Sequence, residues 1–260
     1  SRKNRNPTVA RIVQITDTHL STNPSEELLG CRTHDSLKRV LRLIQDKYME
    51  CDRMIVTGDL VHEEGPDAYH MVREILTPWE DKLRVIPGNH DMRDGMRLAF
   101  GDRINGCPAA VTFVDEVDPW QLIGLDTLLA GAVEGDLNGP QWQWLESCLE
   151  SSNQPTALFM HHPPVFVGSE WVDKLGLLSF IPFANLIERF EQIKLVVCGH
   201  VHQDYQTELF QATVVTTPST SVQFKMNSEE FATEDLPPGF RVIDLHDDGT
   251  FDTTVIRVSH

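Results

Sequence analysis

Five times along this chain a short apolar run stops at a residue able to hold a metal ion. Val9 to Ile15 ends in Thr16-Asp17-Thr18-His19, and Met54-Ile55-Val56 ends in Thr57-Gly58-Asp59. Leu83-Arg84-Val85-Ile86 stops at Pro87-Gly88-Asn89-His90-Asp91. Ala157-Leu158-Phe159-Met160 runs into His161-His162, and Leu195-Val196-Val197-Cys198 into Gly199-His200-Val201-His202. Each run reads as a buried strand bounded by turn signals. Taken singly, each polar end is ordinary: Gly-Asp after a strand is commonly a turn, and Asn-His-Asp after Pro-Gly a polar loop. Repetition in one chain asks for one explanation.

Between these strands the apolar spacing is helical. Leu37, Val40, Leu41 and Ile44 predict a helix from Thr33 to Glu50, and further helices are expected at 66–76, 92–100, 139–149 and 180–190. Val111–Val114 and Gln121–Leu125, separated by an acidic turn, read as a hairpin. Beyond residue 203 the pattern changes to strands without long helices, at about 205–210, 212–216, 221–225, 240–245 and 251–258. Two packed sheets flanked by helices accommodate both halves in one α/β domain over 1–260, with 203–260 as its β-rich part. The polar, basic residues 1–7 are expected to be a frayed terminus.

Charge and cysteine content narrow the function. The formal net charge of −17 argues against a nucleic-acid binder, which would carry a basic face. It also means that an anionic substrate would need a local positive charge, and bound metal ions are often the largest charges in a site. The five cysteines form no Cys-x-x-Cys pair and suggest neither a disulfide framework nor a thiolate zinc site. No apolar run reaches the ~20 residues that a membrane span needs. A soluble, cytoplasmic protein is the expectation; its oligomeric state is not legible.

The candidate ligands are Asp17, His19, Asp59, Asn89, His161, His200 and His202. Asp17 and His19 are two apart, as are His200 and His202, so in an extended chain each pair points to one side. Oxygen and imidazole donors without thiolate suit Mn²⁺, Fe or Zn²⁺. Seven residues are too many for one ion and about right for two if one carboxylate bridges. Paired ions roughly 3.5–4 Å apart can each bind a phosphoryl oxygen and activate a bridging water as hydroxide. Of the other histidines, His34, His62, His70, His246 and His260 are expected at the surface or in packing, with His62 near enough to Asp59 to reach a pocket rim.

The ordered set Asp17-x-His19, Gly58-Asp59, Gly88-Asn89-His90-Asp91, His161 and Gly199-His200-x-His202 resembles the calcineurin-like metallophosphoesterase superfamily. The resemblance implies a four-layer α/β/β/α sandwich with a dinuclear centre. It implies that Asp17, His19, Asp59 and His202 hold one metal, and that Asp59 bridges to a second held with Asn89, His161 and His200. His90 would face the phosphate as transition-state stabiliser or proton donor, oriented by Asp91. Asn89, His90 and His161 would contact substrate, and His162 would lie behind the ligands or in the pocket. Iron and manganese are the metals the resemblance implies, with zinc, magnesium or cobalt as alternatives.

Protein phosphatases of the superfamily carry an arginine-bearing extension after Gly-Asp, and Asn-His-Glu. Here Leu60-Val61-His62-Glu63 follows Asp59 and the third motif ends in Asp91, which departs from that pattern. Gln14 to Leu20, Leu29-Gly30, Thr217 to Lys225 and Pro238-Gly239-Phe240-Arg241 are instead similar to bacterial class III cyclic-nucleotide phosphodiesterases. That similarity implies hydrolysis of 3′,5′-cyclic AMP to 5′-AMP, the bridging hydroxide attacking phosphorus in line with the 3′ oxygen. The motifs read phosphate and not base, so a 2′,3′-cyclic nucleotide, a glycerophosphodiester or a nucleotide pyrophosphate fits them equally. A silent metal- or nucleotide-binding scaffold is the reading from a different class. Asp126–Gly139 and Thr217–Lys225 are candidates for the nucleoside pocket.

Overall fold

The computed structural model describes residues 9–259; the expectations for residues 1–7 and His260 lie outside them. In chain order the first half contains β1 (Val9–Ile15), β2 (Glu27–Leu28), β3 (Cys31–Arg32), α1 (Thr33–Tyr48), β4 (Arg53–Thr57), α2 (Ala68–Ile75), β5 (Leu83–Ile86) and α3 (Arg93–Phe100). The middle contains β6 (Phe113–Val117), β7 (Trp120–Gly124), α4 (Gly139–Glu150), β8 (Thr156–Met160), α5 (Glu170–Asp173), α6 (Phe180–Arg189) and β9 (Ile193–Cys198). The remainder is β10 (Tyr205–Leu209), β11 (Ala212–Thr216), β12 (Gln223–Phe224), β13 (Thr233–Glu234), β14 (Gly239–His246) and β15 (Phe251–Arg257).

Two sheets carry the fold, in the orders β15-β14-β1-β4-β5 and β10-β11-β9-β8-β7-β6. Their central strands run parallel: β1 with β4 and β5, and β7 with β8, β9 and β11. Because successive side chains face opposite ways, one strand feeds two cores. Val13 and Ile15 of β1 pack with Leu37, Val40 and Ile44 of α1, while Ile12 faces the second sheet. Leu158 and Met160 of β8 pack under Leu145 of α4 and Phe183 of α6, while Ala157 and Phe159 face the first sheet. Three apolar layers, one between helices and sheet on each side and one between the sheets, make the four-layer α/β/β/α sandwich. Burial on both faces explains why these strands read as unbroken apolar runs rather than alternating ones.

The β-rich tail is divided between the sheets. β10 and β11 extend the second, and β14 and β15 extend the first, with β14 antiparallel to β1. Two local expectations are corrected. Asp115 and Glu116 were assigned to an acidic turn but lie within β6, where the Asp115 carboxylate is neutralised by Arg53 and Arg84. The extended segment expected at 221–225 is regular only at Gln223–Phe224. Among the described residues no helix is long and apolar enough to cross a membrane.

Candidate metal centre

The carboxyl ends of β1, β4, β5, β8 and β9 meet at one edge of the sandwich, and the turns that follow them are stitched together by backbone. Asp17 N–H donates to Gly58 O (3.0 Å), His19 N–H to Asp59 O (2.9 Å) and Gly199 N–H to His161 O (3.1 Å). Five of the expected ligands sit at left-handed φ: Asp17 (54°), His19 (43°), Asp59 (51°), His200 (72°) and His202 (50°). Each such residue costs about 1–2 kcal/mol, and strain of this kind concentrates where side chains must be aimed at a ligand. Gly58, at φ 92°, makes room for the cluster: a Cβ there would lie 2.5 Å from His161 Nδ1 and 2.7 Å from Gly88 N.

The side chains form two buried triads whose ligand atoms all lie within 4.8 Å of one another: Asp17, His19 and His202, and Asp59, His161 and His200. Asp59 joins them. Its Oδ1 accepts from His90 N–H (2.8 Å), while its Oδ2 lies 3.6 Å from His19 Nε2 and 3.2 Å from His161 Nε2. Asp17 divides its oxygens likewise: Oδ2 accepts from Thr16 Oγ1 and His200 N–H, and Oδ1 faces His202 Nε2 at 3.1 Å. Asn89 Oδ1 is 3.1 Å from His200 Nδ1 and completes the group.

The rear nitrogen of each imidazole decides which nitrogen points inward. His161 Nδ1 meets Thr57 O at 2.7 Å, His202 Nδ1 meets Val222 O at 2.7 Å, and His200 Nε2 meets Leu175 O at 2.9 Å. Carbonyls accept only, so these nitrogens carry hydrogens and the opposite nitrogens face the cluster, each with a lone pair to offer when it is deprotonated. Asp17 Oδ1 and His161 Nε2 are buried with no hydrogen-bond partner. Buried acceptors converging without donors are costly unless positive charge is supplied, and this donor set fits two metal ions.

Electrostatics agree. Burial alone would lower the His161 imidazole, but the Asp59 and Asp17 carboxylates push it up to about 10. Burial would raise both carboxyls, yet the surrounding histidines hold Asp17 and Asp59 well below the usual range. Burial, reinforced by His161, pushes His200 down to about 3.

His90 and Asp91 are placed differently from one another. The His90 ring lines the cleft above the triads, with its Nδ1 3.5 Å from Glu63 Oε1. Asp91 was expected to orient that ring. Its buried carboxylate instead accepts from Gly88 N–H (2.8 Å), Leu60 N–H (3.1 Å) and Tyr69 Oη (2.9 Å), tying the β4 turn to the β5 turn. Burial, and next the charge of Asp59, push its carboxyl up to about 7. Asp91 therefore places His90 through the backbone. His162 spends both nitrogens elsewhere, on Thr127 Oγ1 (2.7 Å) and Val133 O (2.8 Å), and so anchors the 126–138 loop.

His62 reaches further into the site than the pocket rim expected from its spacing. Its Nδ1 lies 3.1 Å from His19 Nδ1, and its ring stacks on His90 with centroids 4.7 Å apart. His19 is thus the one ligand imidazole whose rear nitrogen meets a side chain rather than a carbonyl. The sequence signal was only the three-residue interval from Asp59. Above the ligands opens a cavity of about 150 Å³. Val133, Val222 and Phe224 line it from the two segments expected to shape a nucleoside pocket, and Leu28, Leu29 and Trp171 line it from segments that were not.

A family model described as Calcineurin-like phosphoesterase matches residues 10–204. The chain belongs to this family. It is a phosphoesterase, a hydrolase. The chain is 35% identical over 96% of its length, and 90% of the other's, to the 3′,5′-cyclic adenosine monophosphate phosphodiesterase CpdA of Escherichia coli (strain K12). It is 32% identical, over 96% of this chain and 92% of the other, to the 3′,5′-cyclic-nucleotide phosphodiesterase alr5338 of Nostoc sp.. Among solved structures, a dimetal phosphatase from Danio rerio superposes with TM-score 0.67 at 14% identity, over 98% of this chain and 100% of that one. The purple acid phosphatase PPD1 of yellow lupin gives 0.64 at 14% identity, over 97% and 54%. At those identities the likeness is one of fold.

Proposed function

We propose that the protein is a dinuclear-metal phosphodiesterase that hydrolyses 3′,5′-cyclic AMP to 5′-AMP. The observation that carries the reading is the pair of buried triads, joined at the Asp59 carboxylate beneath a cleft with His90 in its wall. The names of the relatives matched over nearly the whole chain support the choice of ester. Asp17, His19, Asp59 and His202 would hold one metal ion, and Asp59, Asn89, His161 and His200 the other. The oxygen and imidazole donors suit manganese, iron or zinc; the family resemblance favours iron and manganese among them, with zinc, cobalt or magnesium as substitutes. When bound, the ions supply Lewis-acid neutralisation of phosphate charge and make water more acidic.

The rest falls to the chain's own groups. Thr57, Leu175 and Val222 carbonyls hold three ligand imidazoles in the tautomers required. Asn89 and His161 face the phosphate from the ligand side, and His90 donates a proton to the departing 3′ oxygen. Asp91 keeps the His90 turn against Asp59. The five free thiols suit a reducing compartment, and we place the enzyme in the cytoplasm.

The test is turnover of 3′,5′-cyclic AMP, 2′,3′-cyclic AMP and bis(p-nitrophenyl) phosphate by chelator-stripped protein before and after Mn²⁺ or Fe²⁺ is added. Restored activity led by 3′,5′-cyclic AMP is the expected result. Activity on the aryl ester or the 2′,3′ isomer alone sinks the named substrate and keeps the site. No turnover with any metal leaves a scaffold.

A further inference from the structure

The hairpin over the metal centre carries its most exposed large apolar residue in the wrong kind of turn. Leu28 pairs with Cys31 across β2 and β3, so the turn is Leu29-Gly30, with φ of 50° and 80°. Two positive φ values in a two-residue hairpin mark a type I′ turn, whose first position favours asparagine or aspartate. Leucine adopts that conformation at a cost. Leu29 is also 57% exposed, so neither local geometry nor burial accounts for it.

What Leu29 does is line the cavity above the ligands. Three other segments bring apolar side chains to the same cavity: Val133 from the 126–138 loop, Trp171 from α5, and Val222 and Phe224 around β12. Val133 is likewise exposed, at 44%. The aromatic part of the wall is held firmly. Phe224 stacks on the ligand His202, with centroids 3.9 Å apart and planes 6° from parallel, and Trp171 meets Phe224 edge-on at 5.2 Å. A floor of metal ligands beneath aliphatic and aromatic sides suits a phosphate attached to a flat ring with apolar faces, and bases of any sequence stack on such surfaces.

We infer that Leu29, with Val133, Trp171 and Phe224, forms a subsite for the nucleobase of the substrate, and that Leu29 occupies its strained turn position in order to cover that base. The inference rests on the nucleotide reading above, and its test separates the two. Calorimetric titration of metal-loaded protein gives dissociation constants for 5′-AMP and for inorganic phosphate. Wild type should hold 5′-AMP more tightly. In Leu29→Asn that preference should fall about fivefold to tenfold, the loss expected when one partly covered aliphatic side chain is removed. Leu29→Met should restore it, and the thermal midpoint of Leu29→Asn should equal or exceed that of wild type, because asparagine suits the turn. An unchanged preference in Leu29→Asn, or a wild type that holds 5′-AMP no better than phosphate, overturns the subsite even where cyclic AMP is turned over. A reduced preference in a protein that cleaves no cyclic nucleotide keeps the subsite and sinks the substrate reading.

Discussion

Gly58→Ala is the sharpest probe of how tightly the β4 turn is built around the ligands. The residue sits at φ 92°, so any side chain meets backbone strain of about 1–2 kcal/mol. A Cβ would also press on His161 Nδ1 at 2.5 Å and on the Gly88 backbone at 2.7–2.8 Å, contacts that no flexible side-chain tip can relieve. Overpacking of this kind adds about 1–3 kcal/mol. The sum, roughly 2–5 kcal/mol, should lower the thermal midpoint by roughly 4–10 °C for a chain of this size. On the proposed assignment the displaced ring presents Nε2 to a metal ion, so His161 should lose its bond to Thr57 O and metal content should fall. Gly30→Ala is the internal control: its φ is 80°, but a Cβ there meets nothing within 4 Å. It should show the strain alone, about 1–2 kcal/mol, with metal content intact. Thermal unfolding together with elemental analysis of both variants reads the two terms apart. If Gly58→Ala costs no more than Gly30→Ala and keeps its full metal complement, the turn is not packed as described.

Two further outcomes follow from the site. His90→Ala should lower kcat by about 10²–10⁴-fold, the usual share of a general acid, while elemental analysis still finds the wild-type metal content; a parallel loss of metal would make His90 a ligand instead. Metal loading of stripped protein at pH 7 should release a proton from His161, which is held protonated up to about pH 10 without metal and must be neutral to bind. The sign is fixed: the raised folded value stabilises the metal-free protein below about pH 6.5, and this contribution is lost as pH rises toward 10. Metal affinity should accordingly increase with pH across that window. Calorimetric loading in buffers of different ionisation enthalpy measures the proton, and a buffer-independent enthalpy would refute the assignment.

Much of this protein is determined locally, and that part was legible in sequence. Strands buried on both faces must be apolar throughout, so β1, β4, β5, β8 and β9 announced themselves, and the donors at their ends followed by position alone. Helices such as α1 were visible because one apolar stripe faces one sheet. Charged strand residues misled: Asp115 read as part of a turn because its neutralising arginines come from β4 and β5, more than 30 residues away in the chain. The site shows the same divide. Which donor types were available was written in the five strand ends. Which nitrogen of His161, His200 and His202 points inward was decided by carbonyls at Thr57, Leu175 and Val222, brought to the rings by the fold. The shared oxygen of Asp59 and the apolar walls above the ligands depend on two sheets stacking, while the arrival of His62 beside His19 and the turning of Asp91 away from the His90 ring depend on β1, β4 and β5 lying side by side in the first sheet. No periodicity encodes them, because each is a contact between segments that only the packed core brings together.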